Sequence, residues 1–318
     1  MTTPLVVVDA DVLGRHRTGD ETYVLNLLRE LGPLAGDAGI RIAATTRRPD
    51  LVPDGIEPVR MTTASQGLRN GLLLPRLLRR LGASLGHFQY VLPLRLPCPA
   101  VVTIHDLSFE RRPELMTTAD RILFRTFVPR AARRAVRVLT VSERTRTDLR
   151  ELYGVPDERI VVTPNGVDPA FSPGDTVSRG AFVLAVGAVQ ERKNPLAAQA
   201  AAEAAGLPLV WAGPAKDQEL AQELERRGAR VTGYVPQREL ARLYREAACV
   251  VQASRYEGFG LPVLEAMASG TPVVAVPEPA LREVAGDAAV WADEQDLADG
   301  IRRAVAERER WVAAGLAR

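Results

Sequence analysis

Cysteine is almost missing from this chain. Cys98 and Cys249 are the only two in 318 residues, far apart and outside any Cys-x-x-Cys or Cys/His cluster. Neither a disulfide framework nor a zinc site is indicated, and a reducing, cytoplasmic setting fits. No uninterrupted apolar run reaches the roughly 18 residues that a membrane-spanning helix needs. The chain passes from Met1 to Pro4 straight into the apolar residues 5–8, without the basic stretch and apolar core of a secretory signal. Secretion and membrane spanning are therefore not expected. Charge of one sign is also in short supply, the net charge being +2. Residues 1–172 carry 24 arginines against 19 acids, and the remainder 17 basic residues against 20 acids, so the halves differ as +5 and −3. That asymmetry is small beside a nucleic-acid binder, and solvated faces account for it equally well, so no nucleic-acid partner is expected.

What is present is ordinary globular material, 46% hydrophobic and 25% charged, in a chain long enough for two cores. Short apolar or β-branched runs at residues 5–9, 40–45, 100–105, 138–142 and 160–163 alternate with longer helical patterns. This alternation predicts a parallel, helix-covered sheet. Residues 168–180 break it with two prolines, two glycines and short polar side chains, which places a linker there. A second series follows at 181–186, 208–212, 229–232, 249–252 and 272–276. The expected fold class is α/β, with two Rossmann-like domains at 1–172 and 173–318. Ligands of such sheets bind beyond the carboxyl ends of the strands, so the strand-to-helix junctions of both halves are expected to face a shared cleft.

The junction Tyr256-Glu-Gly-Phe-Gly-Leu-Pro-Val-Leu-Glu-Ala-Met-Ala-Ser-Gly-Thr-Pro272 is the most informative. Pro262 suits a first helical turn and Gly270 a C-terminal cap. Gly258 and Gly260 expose backbone N–H groups just before the helix, where the macrodipole favours a diphosphate. Glu257 and Glu265 stand at different heights along one ligand, and a bidentate carboxylate suits neighbouring sugar hydroxyls. Alone, either glutamate reads as a solvated surface acid; the whole constellation does not. A second junction, residues 183–194, runs from a strand through Gly187 to Arg192-Lys193-Asn194. Of 41 basic residues only Lys193 and Lys216 are lysines, so a lysine here points to a compact charge suited to a pyrophosphate oxygen.

Two glutamates with seven residues between them, framing Gly-Phe-Gly-Leu-Pro, resemble the signature of glycosyltransferase family 4, retaining enzymes of the GT-B fold with two Rossmann-like domains facing a central cleft. The likeness extends along nearly the whole chain, through Val141-Ser142, Pro164-Asn-Gly-Val-Asp168 and Leu281-Arg-Glu-Val-Ala-Gly-Asp287. It implies metal-independent transfer of a sugar from a nucleoside-diphosphate sugar to a glycan or lipid-linked acceptor, without a cofactor. Glu257 would contact the donor sugar, Glu265 the ribose, and Arg192 and Lys193 the diphosphate. Gly258, Phe259, Gly260 and Leu261 would line the donor, and Tyr234 and Val235, in Thr232-Gly-Tyr-Val, would meet the base. His105, at the end of a strand in Thr103-Ile-His-Asp-Leu-Ser108, would lie close to the donor sugar, and His105, Glu257 and Lys193 are the expected catalytic residues. Gly19, in Arg17-Thr-Gly-Asp-Glu-Thr-Tyr23, matches the family's first glycine loop near the phosphates.

Some positions depart from the pattern. Ala188 stands where many members carry an arginine, and Asp20-Glu21 replaces a second glycine, facing acceptor hydroxyls or capping a helix. Asp9-Ala-Asp11 imitates an Asp-x-Asp metal motif, but no other ligand is spaced with it, and a metal is not expected. Residues 72–81, apolar and basic, suit either an amphipathic helix with its leucines in the core or peripheral contact with an anionic membrane face. Family members usually continue into a last helix that crosses back to the first domain, whereas this sequence stops at Arg318; in a shortened form, closure and activity would suffer. The alternatives to transfer are a GT-B-like nucleotide-sugar epimerase and a non-catalytic partner that only binds sugar nucleotide.

Overall fold

A computed structural model describes residues 3–15, 18–115, 118–174 and 182–318. The chain divides into two compact units, Met1–Pro164 and Asn165–Arg318. Parallel strands buried on both faces read as near-continuous Val, Ile, Leu and Ala runs, and both units are built from such runs. The first holds a parallel sheet of β1 (Leu5–Asp9), β2 (Arg41–Thr46), β3 (Glu57–Arg60), β4 (Leu85–Gln89), β5 (Ala100–Ile104), β6 (Arg137–Thr140) and β7 (Ile160–Val162), in the order β3-β2-β1-β4-β5-β6-β7. The second holds β8 (Val183–Val186), β9 (Leu209–Ala212), β10 (Arg230–Val231), β11 (Cys249–Gln252), β12 (Val273–Ala275) and β13 (Val290–Trp291), in the order β10-β9-β8-β11-β12-β13. Each sheet starts in the middle, runs to one edge, then returns to build the other side. That is the doubly wound Rossmann order, whose reversal creates a crevice at the carboxyl ends of β1 and β4 in one sheet and of β8 and β11 in the other.

Each unit has its own apolar core. Val7, Phe88, Val102, Ile104 and Leu149 belong to the first, and Val183, Trp211, Val251, Val290 and Ile301 to the second. Three strands escape the sequence pattern for local reasons. β3 is an edge strand carrying Pro58, β4 has a glycine and a histidine among its five residues, and β13 is two residues long. The helix Leu74–Leu81 buries Leu74, Leu77 and Leu78 while Arg76, Arg79 and Arg80 stay exposed, so its leucines serve the core. Among the described residues, no helix is long and apolar enough to cross a membrane. The segment expected to link the halves lies partly outside the described residues, at 175–181.

Candidate functional site

The crevice of the second sheet gathers the residues with the richest chemistry. β8 ends at Val186, and Gly187 follows at φ +128°, a conformation that favours glycine. The Lys193 stem runs beside this glycine, its Cε 3.4 Å from where a Cβ would stand, an ordinary contact distance. The single turn Glu191–Lys193 ends in Asn194 at φ +51°, which asparagine tolerates better than most residues, and Pro195 opens the next helix.

Across from this turn, Glu257 lies in the loop after β11, 5% exposed. Its Oε1 accepts from Lys193 Nζ at 2.5 Å and from Gln252 Nε2 at 2.7 Å, and its Oε2 accepts from Arg192 at 3.2 Å. Arg192 also donates to the Tyr256 carbonyl at 2.5 Å. Burial works to raise the Glu257 pKa, but the charges of Lys193 and then Arg192 outweigh it and hold the carboxyl at about 2. Lys193 and Arg192 bring two cations to this buried carboxylate, and in a setting screened from water such cations attract an anion strongly.

Next to it, Gly260 precedes the helix Leu261–Ala268 at φ +118° and brings no side chain to cap it. A Cβ there would come within 2.7 Å of Leu281 Cδ2. With Gly258 and Phe259 also buried, the loop presents backbone to the helix N-terminus, a place suited to phosphate oxygens. Leu261, half-buried, is the first residue of that helix. Glu265 lies inside it, where Oε2 accepts from Tyr244 OH at 2.7 Å. Burial lifts its pKa to about 7 against that bond, and the charge of Asp168 adds to the lift.

The first unit contains a second cluster. His105 follows β5, half-buried, its Nε2 2.8 Å from Gln89 Oε1 and its ring edge-on to Tyr23, with centroids 4.6 Å apart. Tyr23 OH lies 3.1 Å from Thr103 Oγ1, which is also 2.7 Å from His87 Nε2. Burial lowers the pKa of both histidines, that of His87 to about 4, so His87 is neutral at physiological pH.

Around β1 the structure departs from the expected glycine loop. Gly19 sits in the first turn of the helix Thr18–Asp37, exposed and with open space where a side chain would go, rather than in a loop before the helix; Arg17 lies outside the described residues. Glu21 accepts the Gly14 N–H at 2.6 Å, tying this turn to the loop after β1. Asp9 pairs with Arg69 at 2.5 Å, and Asp11 with Arg47 at 2.9 Å and with Arg15, so arginines occupy the carboxylates of the Asp-x-Asp imitation. Among the described residues, no group of three or more His, Cys, Asp or Glu side chains is placed to hold a metal ion.

Arg192, Lys193, Glu257 and the loop through Gly260 therefore come together, and Glu265 lies one helix turn beyond. Tyr234, exposed, and Val235 follow β10, which β9 and β8 separate from β11 in the sheet order. His105 and Gly19 belong to the first unit. Gln252, Tyr244 and Glu278 escaped the sequence reading. Gln252 reads as the end of an apolar strand and Tyr244 as one aromatic on an amphipathic helix. Glu278, in Val276-Pro-Glu-Pro279, did carry a signal: an acceptor followed by proline is a helix N-cap pattern.

Two doubly wound sheets in one chain, with an anion-attracting cluster at the strand reversal of the second, define a protein of the GT-B class. Residues 17–171 match the family described as Glycosyltransferase Family 4 and residues 172–315 the family described as Glycosyl transferases group 1. The chain belongs to the family 4, group 1 glycosyltransferases. It is 32% identical over 232 residues to the O-antigen chain mannosyltransferase B of Escherichia coli, covering 65% of this chain and 60% of that protein. To a D-inositol 3-phosphate glycosyltransferase of Acidothermus cellulolyticus it is 31% identical, covering 56% of this chain and 46% of that one. The chain thus spans about half to three fifths of the length of these relatives. The crystal structure of Anabaena HepE in complex with UDP-glucose superposes with a TM-score of 0.76 at 16% identity, covering 98% of this chain and 92% of that one, a likeness of fold.

Proposed function

We propose that the chain transfers a sugar from a nucleoside-diphosphate sugar to a hydroxyl of a glycan or lipid-linked acceptor, with retention of anomeric configuration and without a metal. The observation that carries this is the buried Glu257 clasped by Lys193 and Arg192 beside the glycine-led N-terminus of the helix Leu261–Ala268. A diphosphate entering there takes over the two cations and the helix dipole, and Glu257 turns its oxygens to the hydroxyls of the sugar. As the bond from the anomeric carbon to the phosphate oxygen breaks, its electron pair stays on that oxygen, and the same cations hold the growing charge. The acceptor oxygen bonds to the anomeric carbon from the same face, and its proton passes to the departing diphosphate. Glu265 holds the ribose, and by the family likeness Tyr234 and Val235 meet the base. The transferase names of the relatives support transfer over epimerisation.

Calorimetry with UDP-glucose, GDP-mannose, dTDP-glucose and ADP-glucose tests this: at least one is expected to bind, and binding to none removes the proposal. Transfer is expected to persist in EDTA, because Arg192, Lys193 and the helix N-terminus supply the neutralising charge. Complete loss in the chelator, restored by manganese or magnesium, would overturn the metal-independent chemistry.

A further inference from the structure

Glu278 stands between β12 and the helix Pro279–Ala285, 7% exposed. Its Oε2 accepts the backbone N–H groups of Ala280 at 2.8 Å and Leu281 at 3.3 Å, which caps that helix. The cap uses one oxygen only. Oε1 is buried and closes no hydrogen bond of good geometry, the Glu257 N–H facing the carboxyl from nearby, a costly condition that calls for a reason. Serine, threonine or aspartate would cap as well with a shorter side chain and less buried polar surface.

The surroundings of that oxygen point to one. β11 and β12 are neighbours, and the Val276 N–H donates to the Gln252 carbonyl at 3.1 Å, while the Gln252 side chain donates to Glu257. The backbone N–H of Glu257 faces the Glu278 carboxyl, and the Glu257 charge is felt there. Leu281 packs closely enough on Gly260 to exclude a Cβ. Glu278 thus belongs to the same pair of loops as Glu257 and Gly260. Burial above all lifts its pKa to about 7 against the helix N–H bonds, and Glu257 adds to the lift, so near neutrality the carboxyl can both donate and accept.

We propose that the second oxygen of Glu278 hydrogen-bonds a hydroxyl of the transferred sugar next to those held by Glu257, which makes Glu278 a specificity-determining residue of the donor site. This rests on the donor assignment made above for Glu257. The test is calorimetry on the intact chain with UDP, GDP, dTDP and ADP, each alone and as UDP-glucose, GDP-mannose, dTDP-glucose and ADP-glucose. Glu278→Ser keeps the cap and removes the second oxygen. It is expected to bind the preferred free nucleoside diphosphate like the wild type and its sugar conjugate about 10- to 100-fold more weakly. Glu278→Gln, isosteric and equally able to cap, guards against a folding failure of the serine variant; the ratio of conjugate to free-diphosphate affinity is expected to change by about 3- to 10-fold. An unchanged ratio in the variants overturns the proposal, and so does an equal loss for conjugate and free diphosphate, which marks a capping role alone. If the wild type binds free diphosphate but no conjugate better, the proposal also fails. A wild type that binds none of the eight compounds overturns the donor assignment itself.

Discussion

Glu257 and Glu265 share one loop and helix yet meet opposite electrostatics. Glu257 is held at about 2 by cations, and Glu265 is lifted to about 7 by burial. A carboxyl depressed from its ordinary 4.5 stabilises the fold above that pH, and the contribution fades as pH falls toward 2. One that is raised contributes fully below 4.5 and loses its contribution as pH rises through 7. Urea unfolding across pH is therefore expected to show a weaker acid-side loss in Glu257→Gln and a weaker loss between pH 5 and 8 in Glu265→Gln; identical pH profiles in both variants would refute the assignments. In binding, Glu265→Gln is expected to weaken free nucleoside diphosphate by roughly 10- to 150-fold, while Glu257→Gln leaves it unchanged or tighter because Lys193 and Arg192 lose their partner. Turnover should fall in Glu257→Gln more than the apparent KM of the donor rises; normal turnover there would remove Glu257 from the chemistry. The two glutamates and the Arg-Lys pair were legible in the sequence because glycines and a strand-to-helix order frame them. That Lys193 and Arg192 bind Glu257 itself was not, since the contact joins residues 64 and 65 positions apart.

At the scale of elements, two glycines make opposite predictions. Gly260 combines φ +118° with Leu281 Cδ2 at 2.7 Å from any Cβ, so Gly260→Ala is expected to cost on the order of 2 kcal/mol or more and to weaken nucleotide binding with it. Gly19 sits in a helical turn with nothing within 4 Å, so Gly19→Ala is expected to gain roughly 0.5–1 kcal/mol. Thermal unfolding of both variants decides the matter; a stable Gly260→Ala protein would show that the loop need not keep its backbone. Helix and strand alternation was readable wherever strands were unbroken apolar or β-branched runs, and it missed β4, which a glycine and a histidine interrupt. It failed where pairing rather than pattern makes the strand, as at β13, which exists through its two partners in β12. Tyr244 shows the same limit: its helix was visible, its bond to Glu265 was a product of tertiary packing.

The molecule as a whole is two units with separate sheets and separate cores. A nucleoside diphosphate held by the second adds about 2.7 kcal/mol to its stability at one hundred times Kd. Hydrogen exchange with and without nucleotide is expected to show the strongest protection in the loops after β8, β11 and β12; protection confined to β1–β7 and their loops would place the nucleotide elsewhere. The Rossmann plan of each half followed from the order of apolar runs, because parallel strands buried on both faces leave so plain a trace. Arginine's dominance over lysine has a practical side. Side-chain amines number two, Lys216 exposed and Lys193 enclosed, with a side chain 10% exposed and pinned to Glu257. An acylating reagent therefore meets Lys216 freely and Lys193 only during moments when the clasp lets go. The mass added at that single peptide over time becomes a clock for opening of the pocket, read without a substrate or a mutation.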